Sequence, residues 1–222
     1  MSQQLVNMIR RGQKAEIAAL VQEEPGAALA RDAQGVSLLM WSIYAHQPEI
    51  TQCLQPAVGD LDIFEAAALG DSVRLRELIA ADAMQVWAVS GDGWTPLHLA
   101  CAFAGPDAVK LLLEHGAHTH QYSHNPQHNQ ALHAALALCN SEDTVRLLLD
   151  ADADVNAVQA GGFTPLHQVA AAGKPELIKL LLSRGARAEA RCDQGKLPID
   201  YARERRHAAA VEVLQAAGAP QS

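Results

Sequence analysis

Histidine is the residue type in this chain that most invites a chemical interpretation. Six of the ten histidines fall within 19 residues: His115, His118, His120, His124, His128 and His133. His118 and His120 are two residues apart, so on a short extended segment they share a face and could bind one metal ion. No cysteine or carboxylate stands at ligand spacing beside them, and the segment is also rich in Asn and Gln. We therefore predict a polar loop without a metal, and keep a metal site and a pH-sensitive loop as alternatives.

Three histidines recur at regular intervals and would be the candidates for catalysis. His98, His133 and His167 follow one another at steps of 35 and 34 residues. A position that repeats in this way is explained by repeated packing rather than by a single active site. The chain also has no glycine-rich phosphate loop, no G-x-S-x-G and no H-E-x-x-H motif. The sequence therefore predicts no enzymatic activity and no cofactor.

The histidines belong to a longer motif that indicates how the chain is built. Thr95–His98 is repeated unchanged at Thr164–His167, and Gln130–His133 is a degenerate copy between them. Threonine is a favoured helix N-cap and proline suits the first helical position. A second proline follows each Thr by eleven residues and a glycine by 21, which predicts a second helix and its end. Each unit is thus expected to be two short antiparallel helices followed by a turn.

These motifs resemble those of ankyrin-repeat proteins. Thr95–Ala100 matches the family signature T-P-L-H-x-A in full, and Thr164–Val169 differs only at its last residue. The run Asp154–Ala157 is similar to the family's link between units. The resemblance implies an all-α solenoid of about seven helix pairs with short hairpin loops, in a protein that binds other proteins.

Extending the motif in both directions gives seven units in one domain. They are predicted near residues 3–36, 37–60, 61–94, 95–129, 130–163, 164–196 and 197–219. The second unit is ten residues shorter than its neighbours. We expect it to lack its hairpin and the end of its second helix, which is called the outer helix of a unit, the first being the inner helix. Gln55–Gly59 would then form a direct turn and leave a gap in the row of hairpins. The fifth unit carries one extra residue near Cys139–Ser141.

The composition of the chain limits which classes of partner and which cellular compartment we expect. The 17 basic and 25 acidic residues give a net charge of −8, which disfavours a nucleic-acid partner. No stretch has the pattern of a secretory signal or a transmembrane span, and the four cysteines are scattered. We therefore expect a cytoplasmic monomer with reduced thiols and without nucleic-acid or membrane partners.

The resemblance implies that a partner binds the concave side, formed by hairpin tips and the exposed faces of the first helices. Aligning the units by phase places six candidate partner-binding residues there: Trp94, Phe103, Phe163, Tyr44, Lys196 and Leu138. Rigid aromatic side chains are favoured anchors at protein interfaces. The alternative is that an aromatic residue before the motif covers the base of its hairpin. Trp41 and Phe64 are assigned to the core.

The predicted function is binding of one or a few proteins through this concave face. The alternative is a dedicated inhibitor, or immunity protein, that neutralises a basic toxin or enzyme. The resemblance permits this because some free-standing bacterial ankyrin proteins neutralise toxins. An acidic stack would also attract a basic target electrostatically.

Overall fold

The computed structural model describes residues 2–139 and 141–218, and these fold into fourteen α-helices arranged as seven consecutive pairs. The pairs, in chain order, are α1 (Ser2–Arg10) with α2 (Lys14–Glu23), α3 (Leu38–Tyr44) with α4 (Pro48–Val58), α5 (Ile63–Leu69) with α6 (Ser72–Ala81), α7 (Pro96–Leu99) with α8 (Pro106–Glu114), α9 (Ala131–Ala134) with α10 (Glu142–Asp150), α11 (Pro165–Ala172) with α12 (Pro175–Ser183), and α13 (Pro198–Glu204) with α14 (Ala208–Ala216). Within the described ranges there are two isolated β-bridges and no strand. The predicted all-α stack is confirmed.

Two inner helices change from α-helix to π-helix, and two outer helices are followed by a short 3₁₀ helix. The helix α7 continues as a π-helix, Ala100–Ala104, and α9 continues as a second one, Ala135–Cys139. Short 3₁₀ helices, Pro25–Leu29 and Ala83–Trp87, follow α2 and α6. Neighbouring pairs stack in order, with inner helix on inner helix (α11 on α13) and outer on outer (α12 on α14).

Local sequence accounts for where the helices begin and end. The Thr95 hydroxyl accepts the backbone N–H of His98 at 3.3 Å, and Ser37 accepts that of Met40 at 3.1 Å. These bonds satisfy donors that have no partner inside the helix. Beyond the end of α8, Gly116 adopts a φ of +85°, a left-handed conformation that costs glycine little. The predicted N-cap at Thr95 and the predicted helix end at Gly116 are confirmed.

The core is a continuous apolar layer between consecutive pairs. Its members are mainly Leu, Ile, Val and Ala, and the motif leucines Leu97, Leu132 and Leu166 are at most 1% exposed. Since each pair packs on its neighbours, burial of one pair depends on the presence of the next. The concave side is consequently held in shape by packing behind it.

The prediction that the second unit loses part of its outer helix is wrong. The helix α4 has eleven residues and contains Gln55, Pro56 and Val58, which were expected to form a turn. Pro56 lies near the end of the helix, where the loss of its N–H removes a single intrahelical bond. Gly59, at a φ of +73°, then ends the helix, and α5 begins four residues later. The ten missing residues are therefore missing from the hairpin alone.

The expected gap in the row of hairpins is also wrong. The hairpin of the first unit (residues 31–37) reaches the hairpin of the third unit (residues 88–94) across the shortened unit. A Cβ added to Gly91 would lie only 1.6 Å from the carbonyl oxygen of Gln34. The short second unit thus brings the flanking hairpins into contact, and glycine at position 91 permits that approach.

Two sequence predictions extend to residues whose structure is not described. The turn of the fifth unit includes Asn140, and the seventh unit was predicted to end at Ala219; both lie outside the described residues. Directly after Asn140, the Ser141 hydroxyl accepts the backbone N–H of Thr144 at 3.4 Å and caps the start of α10.

Candidate functional site

A groove of about 400 Å³ lies on the side of the stack formed by the inner helices and the hairpin tips. Its lining includes four of the six predicted partner-binding residues, namely Tyr44, Trp94, Phe103 and Leu138. The tips of four hairpins also contribute, through Gln34, Asp92, Gln127 and Gln159. The structure therefore brings together side chains from the first to the sixth units, with Gln168 contributed by the sixth.

Aromatic rings form one wall of the groove, and they support one another. The ring of Tyr44 lies 5.6 Å from that of Phe103 and 5.8 Å from that of Trp41, which it meets edge to face. Such arrangements are favourable beyond the area that they bury. The Trp41 indole N–H donates to Asp32 at 2.9 Å, which fixes the orientation of its ring. The wall is thus preformed.

The two π-helices carry groove residues. Phe103 lies on the first π-helix and Leu138 on the second. The π-winding is closed by a bond from the Gly105 N–H to the Ala100 carbonyl at 3.0 Å. Single π-turns are rare and concentrate at functional sites. Leu138 is 48% exposed, so its apolar side chain is presented to the groove rather than buried in the core.

Polar side chains line the opposite part of the groove. Asp92 accepts a hydrogen bond from the Ser90 hydroxyl at 2.6 Å, and its charge acts on the Tyr44 hydroxyl. Burial and the negative charge of Asp92 raise the pKa of Tyr44 far above its ordinary value, so this hydroxyl stays protonated. Two further acceptors, Asn129 Oδ1 and Gln168 Oε1, are buried and have no hydrogen-bond partner in the part of the chain that the structure describes.

Sequence reasoning missed three of these residues: Trp41, Asp92 and Gln168. Trp41 packs against the core, as predicted, but it also lines the groove. It stands four residues after the start of its motif, and Ala134 and Gln168 occupy the same slot in their own units. All three line the groove. Their common position, four residues after the start of each motif, is the sequence feature that could have placed them on the concave side.

Phe163 and Lys196 were predicted at the same surface but do not line the groove. The Phe163 ring packs 5.0 Å from Tyr201 and 5.4 Å from His167. Lys196 forms an ion pair with Glu204 at 2.6 Å, with its Nζ 5.3 Å from the centre of the Tyr201 ring. Tyr201 of the last unit therefore engages both side chains, and Phe163 covers the base of its hairpin.

Family comparisons agree with the repeated motif. A model described as ankyrin repeats in three copies matches residues 63–159, and one described as ankyrin repeats in many copies matches residues 147–202. The chain belongs to the ankyrin-repeat family. Ankyrin repeats generally mediate protein–protein interactions, and proteins of this family are typically not enzymes.

Several curated proteins are similar to part of this ankyrin chain. It is 33% identical over 147 residues to ankyrin repeat, SAM and basic leucine zipper domain-containing protein 1 of Ornithorhynchus anatinus, covering 64% of this chain and 30% of that protein. Two human proteins are also similar. Transient receptor potential cation channel subfamily A member 1 is 37% identical over 43% of this chain and 8% of its own length. Protein phosphatase 1 regulatory subunit 27 is 38% identical over a match that covers 34% of this chain and 49% of that protein. The chain thus spans less than half of each relative.

No helix in residues 2–139 and 141–218 has both the length and the apolar character required to span a membrane.

Two of the three repeated ankyrin histidines, His98 and His167, bond to the unit that follows. The Nδ1 of His98 lies 2.7 Å from the Thr95 hydroxyl, and its Nε2 lies 3.0 Å from the carbonyl of Asn129 in the hairpin that follows. His167 makes the equivalent contacts with Thr164 and with the carbonyl of Lys196. Asp200 occupies the same slot in the last unit and accepts the backbone N–H of Leu197 at 2.9 Å. These contacts are structural.

Stability is expected to fall as the pH drops from about 6.5 towards 4. Burial lowers the pKa of His98 and of His133 from 6.5 to about 4 in each case. The folded protein keeps these rings neutral, so the unfolded chain binds protons first; the stability is fully present above pH 6.5 and is lost as the pH falls. The loss at pH 4 should be about 3 kcal/mol per histidine.

Urea unfolding between pH 7 and 4 measures this dependence. The variant His98→Gln should show a smaller decrease in the free energy of unfolding over this range than the wild type. The variant His120→Gln, at an exposed histidine, should show the same decrease as the wild type. Equal pH dependence in all three proteins would contradict the assignment.

The histidine-rich loop is organised by ring contacts. His118 lies 5.7 Å from the Trp87 ring, and both His118 and His120 are exposed. His128 stacks on Tyr122 with a centroid distance of 4.4 Å. Within the described part of the chain, no group of three or more His, Cys, Asp or Glu side chains is placed to hold a metal ion. His118 and His120 thus do not belong to a formed metal centre there.

Proposed function

We propose that this protein binds one or a few partner proteins through the concave face of its ankyrin stack, with the groove as the central contact. The observation that carries the proposal is the convergence of Tyr44, Trp94, Phe103 and Leu138 on one preformed cavity. Half-buried aromatic anchors beside an exposed leucine are typical of residues that dominate protein interfaces.

The hairpins that border the groove are held in place by backbone hydrogen bonds. The N–H of His124 donates to the carbonyl of Gly93 at 2.8 Å, and the N–H of Ala160 donates to that of Gln127 at 3.0 Å. A surface that is already ordered loses little conformational freedom when a partner binds. This supports binding by shape complementarity on a rigid surface.

A dedicated inhibitor of a basic toxin or enzyme is the second candidate function. The net charge of −8 supports it, because an acidic surface accelerates encounter with a basic protein. The composition also supports a cytoplasmic monomer that binds neither nucleic acid nor membranes. The identity of the partner found in the experiment below would distinguish this inhibitor from a general protein-binding module.

The double variant Trp94→Ala/Phe103→Ala is expected to weaken partner binding about 30-fold or more, because truncation of interface anchors typically costs at least 2 kcal/mol. The purified protein is used as bait in a native lysate, and the affinity of each captured protein is then measured with both forms. Thermal unfolding is measured in parallel and should change little, since both rings are only partly buried.

The matched control is Val73→Ala/Met84→Ala, which truncates two exposed apolar side chains outside the groove, 66% and 65% exposed. This variant should bind like the wild type. Binding that survives in the groove variant, or falls equally in both variants, would refute the assignment of the contact surface.

A further inference from the structure

We propose that the groove binds the side chain of an arginine presented by the partner protein. This inference rests on the proposed protein-binding function and specifies the chemistry of its central contact. It follows from three features of the groove: its acceptors, its charge and its aromatic faces.

The buried polar atoms without partners in this groove are acceptors. Asn129 is only 4% exposed, and its Oδ1 has no hydrogen-bond partner. The Oε1 of Gln168 is likewise unpartnered, while its Nε2 donates to the His133 carbonyl at 3.5 Å, which fixes the orientation of the amide. Buried polar groups are nearly always hydrogen-bonded, so two unpartnered acceptors beside one cavity indicate a ligand that donates.

The charge of the groove favours a cation. Among the described residues that line it, Asp92 is the only side chain charged at neutral pH, because burial lowers the pKa of His98 to about 4. Asp92 forms no ion pair within residues 2–139 and 141–218. The nearby cation Arg31 is already paired with Asp62 at 2.9 Å. A carboxylate without a counter-charge beside aromatic rings is suited to a cationic ligand.

The chemistry of a guanidinium suits these aromatic faces better than that of an ammonium, although the protein also places Lys196 Nζ 5.3 Å from the Tyr201 ring. The protein already shows this contact once: the guanidinium carbon of Arg10, which does not line the groove, lies 4.4 Å from the centre of the Trp41 ring. A guanidinium is planar, stacks on aromatic rings and carries five donors. It can therefore stack on the aromatic wall while it donates to the carboxylate of Asp92. A lysine ammonium is compact and strongly hydrated, and it has three donors.

The test is a titration of the full chain with three small probes, followed by NMR of the indole N–H signals of Trp41 and Trp94. The probes are the N-acetyl methylamides of arginine, of lysine and of citrulline, which resembles arginine in shape but is uncharged. The arginine probe should shift both indole signals and bind about tenfold or more tightly than either of the others. Equal binding of the lysine or citrulline probe, or no shift with the arginine probe, would overturn the proposal.

Variants place the binding in the groove. Asp92→Asn, which keeps the shape of the side chain, should weaken the arginine probe about fivefold or more, and Gln168→Leu, from another unit, should also weaken it. The control is Asp107→Asn at an exposed position in the first turn of α8, which should bind the probe like the wild type. Equal affinity in all of these variants would overturn the proposal.

Proteins captured through Trp94 and Phe103 without any arginine-probe binding would overturn this inference alone. Probe binding without such capture would count only against the proposed function.

Discussion

Leu132→Ala is expected to lower the free energy of unfolding by about 3 kcal/mol, within the range of 2–5 kcal/mol for truncation of a fully buried leucine. Leu132 is 0% exposed and lies in the fifth unit, between two neighbours. Its motif has Gln130 in place of the threonine cap and Ala131 in place of proline. The helix α9 is also only four residues long before it becomes a π-helix. Helix formation in this unit therefore depends on tertiary packing.

Urea unfolding followed by circular dichroism measures the loss. The control is Leu29→Ala, at a leucine that is 57% exposed, which should change the free energy of unfolding by no more than about 0.5 kcal/mol. In a stack of repeats, weakening a central unit can also separate the transitions of the two flanking parts. A change below about 1 kcal/mol for Leu132→Ala would show that the motif leucine does not hold this unit in place.

Gly91→Ala is expected to destabilise the protein by about 1–3 kcal/mol, the typical cost of inserting a methyl group where there is no space. The added Cβ would lie 1.6 Å from the backbone oxygen of Gln34, and a backbone atom cannot rotate away as a side chain can. The hairpins of the first and third units would have to separate. Because Gln34 and Asp92 both line the groove, its shape should change as well.

Thermal unfolding and the affinity for a captured partner are the two measurements for Gly91→Ala. Gly26→Ala is the matched control, since a Cβ there meets nothing within 4 Å and its φ is not positive. That substitution should be neutral or slightly stabilising, because alanine restricts the unfolded chain. Wild-type stability and affinity in Gly91→Ala would mean that the two hairpins are not in contact.

The repeated motif explains why much of the fold could be predicted. Caps such as Thr95 and Ser37 act within one turn of helix, so they are local in sequence. The linker residue Asn156 donates to the Gly185 carbonyl and accepts from the Arg187 N–H. These contacts recur from unit to unit, and recurrence makes them visible in the sequence.

The candidate site was predictable only in part, for a related reason. Tyr44, Trp94, Phe103 and Leu138 were found by phase, and the structure places all four around one groove. Phe163 fills the same slot as Trp94, yet it packs against Tyr201, a ring that has no counterpart near Trp94. Equivalent positions thus acquire different surroundings when the neighbouring units differ.

The sequence by itself determined the helix pairs, their caps and the order in which they stack, because these depend on interactions within a unit or between repeated positions. Only the tertiary structure decided that the short second unit brings Gln34 against Gly91, and that Trp41 joins the groove. It also decided that Asn129 and Gln168, whose buried side-chain oxygens have no hydrogen-bond partner among the described residues, line the same groove. These features arise from the distances between non-equivalent units, which are set by the packing of the whole stack.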